Sequence, residues 1–223
     1  MKYVGSKNRI AHILLKIILR YRKKGQVWFE PFVGGGNMIQ YVDNPRIGID
    51  INQYAIAALQ AIQRGEQLPP ITKKKYLEIK KNKEKFDPWL VGWVGFSLSY
   101  ASRFFVGWAE DKRNDDYLAQ ANKNAQKQKP LIKDVIFEHA DYQNYIVPAG
   151  ALIYADPPYE NTSEYRLTQD FDHDFFWNWC REKTKKHIVF ISEKTAPEDF
   201  VSVLSIENSI QLQIGQQKKQ RKI

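Results

Sequence analysis

Cysteine is nearly absent from this chain of 223 residues, in which Cys180 is the only one. A single cysteine cannot form an intrachain disulfide, and it cannot build a cysteine-based zinc site. The histidines are also few and scattered, at His12, His139, His173 and His187. We therefore expect no metal centre.

Long apolar runs are missing as well. The longest apolar stretch, residues 10–19, is interrupted by Lys16 and followed by a cluster of basic residues. It is too short and too amphipathic for a membrane span or a signal peptide. We expect a cytoplasmic protein with no membrane partner.

Acidic residues are fewer than basic ones. The chain has 25 aspartates and glutamates and 34 lysines and arginines, which gives a net charge of +9. A surplus of this size favours a polyanionic partner, with nucleic acid ahead of membrane. The remaining composition, 43% hydrophobic and 26% charged, is typical of a globular protein long enough to bury a core. Nothing in it indicates an oligomeric state.

The most informative stretch is residues 151–159, where a short apolar run ends in Asp156, Pro157, Pro158 and Tyr159. Such a run is typical of a buried parallel strand, and prolines end a strand because they lack the N–H group. Asp156 and Tyr159 would then lie on a rigid corner at the carboxyl end of a strand, where open α/β sheets bind ligands. The alternative is an ordinary strand end followed by a proline-rich turn.

Three more predicted strands lead into acidic residues. A strand over 27–29 runs into Glu30 and then into three glycines, a strand from Arg46 ends at Asp50, and a strand over 135–139 precedes Asp141. In doubly wound sheets, an acid at a strand end binds the ribose hydroxyls of a nucleoside ligand. Asp50 could instead cap the following helix. An acid beside a glycine loop suits a positively charged ligand, and S-adenosylmethionine is such a ligand.

The order of these elements predicts an α/β protein with a Rossmann-like, doubly wound sheet and helices on both faces. Predicted helices cover residues 10–18 with Ser6 as cap, 37–41, 54–64, and a segment after Asp172, which would cap it. A further strand over 187–192 and a closing hairpin over 201–214 complete the prediction.

Residues 65–130 differ in character, because lysines and aromatic residues alternate there in helical segments. We interpret them as an inserted, mostly helical subdomain with a surface suited to nucleic acid, and with Arg103, Lys112 and Arg113 as DNA-contact candidates. The simpler interpretation is a solvated lysine-rich helix beside a small aromatic core. The catalytic domain would then comprise 1–64 and 131–215, followed by a basic tail at 216–223.

Several motifs together resemble the Dam-like DNA adenine methyltransferases, including short phage-type members. The motifs are KYVGSK at 2–7, FEPFVGGG at 29–36, DPPY at 156–159, FDHDFFW at 171–177 and ISE at 191–193. Their order is that of the subclass with the recognition domain before the catalytic motif. Ser6 departs from the family pattern, which often has a second glycine there.

The resemblance implies a Rossmann-like methyltransferase sheet, a target-recognition role for the inserted residues 65–130, S-adenosylmethionine as cofactor and double-stranded DNA as partner. The cofactor would contact Tyr3, Lys7, Asp50 and Asp156, and its pocket would be lined by Phe32, Gly34, Asp141 and Tyr142. The catalytic residues would be Asp156 and Pro157, which accept the amino hydrogens of adenine, and Tyr159, which stacks on the flipped base.

Other functions are compatible with the same motifs. A Rossmann-type methyltransferase could act on RNA, on a protein amide or on the amino group of cytosine, since a Pro-Pro-Tyr corner serves any planar amino nitrogen. A catalytically inactive DNA-binding module could also keep this fold.

Overall fold

The computed structural model describes residues 1–110, 116–159, 171–206 and 210–215. In these ranges one sheet contains seven strands. They are β1 (Trp28–Glu30), β2 (Arg46–Asp50), β3 (Ile136–His139), β4 (Leu152–Ala155), β5 (Ile188–Glu193), β6 (Phe200–Ile206) and β7 (Ile210–Gly215).

The strand order is β3-β2-β1-β4-β5-β7-β6. The first five strands run parallel, whereas β7 is antiparallel to both β5 and β6. The direction of winding reverses between β1 and β4, which places a topological switch point at their carboxyl ends. This mixed sheet confirms the predicted Rossmann-like methyltransferase fold, including the closing hairpin.

Six helices of the described ranges flank the sheet. They are α1 (Ala11–Ile18), α2 (Gln53–Arg64), α3 (Lys73–Lys81), α4 (Pro88–Ser97), α5 (Tyr117–Ile132) and α6 (His173–Thr184). Side chains of a strand alternate between the two faces, so Leu152 belongs to the core cluster that includes residues of α1, α2, α4 and α5, whereas Ile153 belongs to the cluster that includes residues of α6. Helices therefore cover both faces, as predicted.

Four helices of the described ranges, α2, α3, α5 and α6, begin at side-chain caps, and two of these caps lie beside the site. Asn52 Oδ1 accepts the Tyr54 and Ala55 N–H groups at 3.1 and 3.3 Å at the start of α2. Asp172 Oδ1 accepts the Phe175 N–H at 2.8 Å, which confirms the predicted cap of α6.

Two local predictions are wrong. Ser6 does not cap α1, because the helix begins only at Ala11 and the Ser6 hydroxyl accepts the Asn8 N–H instead. The helix predicted for residues 37–41 is a single 3₁₀ turn, Ile39–Tyr41. Gly34 and Gly36 have φ values of 50° and 67°, so the chain leaves β1 through consecutive turns rather than entering a helix.

The segment between α2 and β3 is mostly helical. Its helix α4 packs closely on α2, since a Cβ placed on Gly92 would lie 1.9 Å from the Tyr54 carbonyl oxygen. Helix α5 contacts α2 and, through Gln128, the glycine loop. The division of the chain at residues 65 and 130 stays a prediction. Within the described ranges, no helix combines the length and apolarity that crossing a membrane requires.

Candidate active site

A cavity of about 900 Å³ lies at the carboxyl ends of β1, β2 and β4. Its size suits a cofactor together with a flat substrate group. Its walls include every residue that the sequence predicted for cofactor binding or catalysis: Tyr3, Lys7, Phe32, Gly34, Asp50, Asp141, Tyr142, Asp156, Pro157 and Tyr159.

The glycine loop packs directly against the N-terminal segment. A Cβ on Gly34 would lie 2.9 Å from Tyr3 Cε1, and one on Gly35 would lie 2.8 Å from the Met1 carbonyl oxygen. Only glycine permits this approach, and at Gly34 the positive φ imposes the same requirement. The loop therefore allows Tyr3, which is remote from β1 in the sequence, to lie beside the end of that strand.

Asp50 anchors the same loop from the end of β2. Its carboxylate accepts the Gly34 and Asn52 N–H groups, each at 2.9 Å. Burial raises the pKa of Asp50, and the two backbone N–H groups oppose that rise. Because Asn52 provides the side-chain cap of α2, the alternative role of Asp50 as that helix cap is not supported.

Glu30 is turned toward the protein interior. It is 3% exposed, and its Oε1 accepts the Trp28 Nε1–H at 2.8 Å. Burial raises the pKa of Glu30 well above its ordinary value, and the charge of Asp156 adds to the rise. The negative charge that the sequence suggested for attracting a cationic ligand is therefore disfavoured at Glu30.

Asp156 lies at the end of β4 in contact with two polar partners. Lys7 Nζ is 2.7 Å from Asp156 Oδ2, and the Tyr159 hydroxyl donates to Asp156 Oδ1 at 3.2 Å. Burial raises the pKa of Asp156, while Lys7 and Tyr159 oppose the rise by favouring the carboxylate. Lys7 is itself 5% exposed, donates to the Gly5 carbonyl at 3.0 Å and lies 4.8 Å from the Tyr159 ring centroid.

The pairing of Lys7 with Asp156 was missed by sequence reasoning. The two residues are separated by 149 positions, and no local pattern relates them. The only available signal was that both belong to motifs of one family.

Aromatic side chains form a further wall of the cavity. The Phe32 ring centroid lies 4.9 Å from that of Tyr142 and 5.8 Å from that of Phe171. Burial raises the pKa of Tyr142 to about 12. Beside it, Asp141 Oδ1 accepts the Gln143 N–H at 3.0 Å, which fixes the turn after β3. Such a wall can hold a flat heterocycle.

These features fit S-adenosylmethionine. The glycine loop allows close approach to a nucleoside, Asp50 offers buried carboxylate oxygens, and Phe32 and Tyr142 offer apolar faces. Among the described residues, no cluster of acidic, histidine or cysteine side chains could hold a metal ion.

Of the three predicted DNA-contact residues, the structure describes only Arg103. Arg103 lies in the wall of the cavity, whereas Lys112 and Arg113 lie outside the described residues. Two lysines that sequence reasoning did not single out, Lys80 and Lys83, also line the cavity. The lysine run was visible, but its pattern did not indicate which members point toward the site.

The sheet topology and this site define a protein of the Rossmann-like methyltransferase class. The model of the D12 class N6 adenine-specific DNA methyltransferase family matches residues 3–193. The chain belongs to that family, which confirms the resemblance to the Dam-like DNA adenine methyltransferases.

The chain matches no curated protein but does match proteins of known structure. One matching solved structure is that of SMU.472, a presumed methyltransferase complexed with SAH, with 14% sequence identity and a TM-score of 0.43. The match covers 96% of this chain and 54% of the other, so this chain spans about half the length of SMU.472.

Proposed function

We propose that this protein transfers a methyl group from S-adenosylmethionine to the exocyclic amino group of adenine in duplex DNA. The observation that carries the proposal is the position of Asp156. It lies at the end of β4, paired with Lys7, in the cavity that also contains the glycine loop and Asp50. Family membership and the positive net charge support DNA as the partner.

Cofactor binding would use the residues at the ends of β1 and β2. When bound, S-adenosylmethionine supplies an electrophilic methyl group attached to a sulfonium. Asp50, already oriented by the Gly34 and Asn52 N–H groups, would accept hydrogen bonds from the ribose hydroxyls. Tyr3, Phe32, Asp141 and Tyr142 would line the rest of the pocket.

Catalysis would rest on positioning. The Asp156 carboxylate and the Pro157 carbonyl would accept the two amino hydrogens of adenine, which would turn the nitrogen lone pair toward the methyl group. The amino group needs alignment rather than a strong base, because its proton becomes acidic once the nitrogen carries the methyl group, and the Asp156 carboxylate would take up that proton. Lys7 assists because its charge favours the carboxylate form of Asp156, which is the form that only accepts hydrogen bonds.

The adenine must leave the double helix before it reaches Asp156. Unstacking costs a few kcal/mol, and stacking on an aromatic side chain returns about 1–3 kcal/mol per base. Tyr159 is suited to this role because its hydroxyl bond to Asp156 fixes the ring next to the catalytic carboxylate.

The remaining parts of the proposal concern organisation. Residues 1–64 and 131–215 form the catalytic domain, 65–130 recognise the target, and the tail 216–223, which lies outside the described residues, adds affinity for phosphates. A cytoplasmic location, as expected from the sequence, is part of the same proposal.

The proposal is tested by replacing Asp156 and identifying the product. Asp156→Ala should abolish transfer of labelled methyl groups to duplex DNA while DNA binding persists, because the basic residues that are candidates for DNA contact are not changed. Asp43→Ala, at an exposed acid outside the cavity, serves as the matched control. Digestion of DNA methylated by the wild type should yield N6-methyladenine.

Three results would contradict the proposal. Methylation of DNA by Asp156→Ala would show that transfer does not require the Asp156 carboxylate. N4-methylcytosine as product would make the enzyme a cytosine amino methyltransferase. Labelling of RNA or protein with none of duplex DNA would favour the other substrate classes.

A further inference from the structure

The charges of the cavity are divided between its walls. The acidic lining residues lie at or shortly after the carboxyl ends of strands, or precede a helix that flanks the sheet. They are Glu30, Asp50, Asp141, Asp156 and Asp172. Apart from Lys7, which pairs with Asp156, the basic lining residues are Lys80, Lys83 and Arg103. All three come from the segment between α2 and α5, so one wall of the cavity is cationic.

Two of these cations have no acidic partner among the described residues. Salt bridges occupy other lysines of α3, since Lys73 lies 3.0 Å from Glu110 and Lys75 lies 3.2 Å from Glu78. In the described part of the chain, no carboxylate lies within ion-pair distance of Lys80 or Lys83. Their charges are available to an anion that enters the cavity.

Lys83 is held in place although it makes no ion pair within the described chain. Its Nζ donates to the Lys80 carbonyl at 2.9 Å and lies 5.7 Å from the Phe105 ring centroid. An ammonium group has three donors, so two remain for a ligand. A cation fixed in this way loses less conformational freedom on binding than a mobile surface lysine.

Arg103 belongs to a strained loop on the same wall. Ala101, Ser102 and Phe105 have φ values of 53°, 57° and 52°, which non-glycine residues rarely adopt. The loop is held by the Tyr100 N–H, which donates to the Gly107 carbonyl at 2.8 Å, and by the Phe105 N–H, which donates to the Gly95 carbonyl at 3.0 Å. Strain that is retained in this way is typical of functional loops.

We propose that Lys80, Lys83 and Arg103 form a binding site for backbone phosphates of the DNA strand that carries the target adenine. The inference rests on the proposed function. The acids near the strand ends suit the cationic cofactor, and the cationic wall suits the polyanionic substrate. Phosphate contacts here would hold the strand at the cavity while its base occupies the position beside Asp156.

The test is the salt dependence of DNA binding by the full chain. Removal of one phosphate contact reduces the slope of log K against log salt concentration by about 0.9. The double variant Lys80→Gln/Lys83→Gln should therefore reduce the slope by about 1.8, measured by fluorescence anisotropy of a labelled duplex between about 50 and 200 mM salt. Cognate and unrelated duplexes should weaken by the same factor, and the affinity for S-adenosylmethionine should not change.

The matched control is Lys74→Gln/Lys81→Gln, which removes the same charge from neighbouring positions in the same segment. Lys74 and Lys81 are exposed and do not line the cavity. Equal slope changes in the two double variants would overturn the proposal, because the lysines would then act only as general surface charge. Loss of cofactor affinity with an unchanged DNA slope would also overturn it, since the bound anion would be the cofactor carboxylate.

Failure of the proposed function itself is recognised separately. A wild-type protein that neither binds duplex DNA nor methylates it would contradict both proposals. If the wild type binds and methylates duplex DNA but Lys80→Gln/Lys83→Gln leaves the salt slope unchanged, only the proposed phosphate site is contradicted.

Discussion

Lys7 is the neighbouring cation that favours the charged form of Asp156. Burial raises the pKa of Asp156, and Lys7 is the first of the two partners that oppose the rise. Lys7→Met removes this opposition, so the pKa of Asp156 should rise further. Activity requires the carboxylate, and it should therefore be lost at a higher pH than in the wild type as the pH falls. The measurement is kcat/KM for DNA methylation as a function of pH.

A control separates this effect from loss of positive charge in general. Lys16→Met changes the same residue type at an exposed position of α1 and should leave the acidic limb of the profile in place. If Lys7→Met lowered activity equally at all pH values, Lys7 would act on the cofactor or on the fold rather than on the charge of Asp156.

Gly34 is required for two separate reasons, positive φ and lack of space. Gly34→Ala should lose about 1–2 kcal/mol of stability from the left-handed backbone alone. The added Cβ would also lie 2.9 Å from Tyr3 Cε1, so the loop or Tyr3 must shift and cofactor affinity should fall. Both are measured by thermal unfolding and by titration calorimetry.

Gly25→Ala tests the effect of a positive φ separately from the effect of lack of space. Gly25 has a φ of 75° but no atom within 4 Å of an added Cβ. It should reproduce the loss of stability and leave cofactor affinity unchanged. Equal cofactor affinity in the two variants would show that the contact with Tyr3 does not shape the pocket.

Helix α5 connects the segment between α2 and β3 with the glycine loop. Gln128 is 4% exposed, and its Nε2 donates to the Gly35 carbonyl at 3.0 Å and to the Gly36 carbonyl at 3.4 Å. Gln128→Met should remove the donor to both carbonyls and the side-chain acceptor of the buried Met1 amine, at a cost of about 1–3 kcal/mol, although the Gly35 carbonyl keeps the Met1 amine as a donor at 3.2 Å. Because Gln128 would act through the loop, KM for the cofactor should rise while kcat at saturating cofactor changes little.

The comparison for this helix is Gln120→Met, whose side chain accepts a hydrogen bond from Lys2 and does not contact the loop. It should leave KM for the cofactor at the wild-type value. A fall in kcat without a change in KM for Gln128→Met would contradict the positioning role.

Elements with a strong local signal could be predicted, and elements set by distant contacts could not. The strands around Ile153 and Phe190 were evident because both faces of a parallel sheet are buried, which gives continuous apolar runs. The helix predicted at 37–41 was wrong because the left-handed Gly34 and Gly36 lead into turns. The site residues at strand ends could be named, but the orientation of Lys80 depends on how α3 packs, which its own sequence does not specify.

At the scale of the whole molecule, the cavity is built from segments that are distant along the chain. Its walls come from residues 3–7, 30–35, 37–38, 50–54, 141–143, 154, 156–159 and 171–172, in addition to the cationic segment. A ligand that contacts several of these segments binds only the folded protein. Cofactor binding should therefore be visible as increased global stability.

The size of that increase can be estimated. A ligand at 100 times its Kd adds about 2.7 kcal/mol to the free energy of unfolding. For a chain of this length each kcal/mol raises Tm by about 2–4 °C, so saturating S-adenosylmethionine should raise Tm by about 5–11 °C.

Asp50→Ala should reduce this increase strongly, since it removes the predicted ribose acceptor and the anchor of Gly34. Asp43→Ala, at an exposed acid, should retain it. If ATP raised Tm as much as S-adenosylmethionine, or if neither did, the cavity would not be the specific cofactor site inferred from its walls.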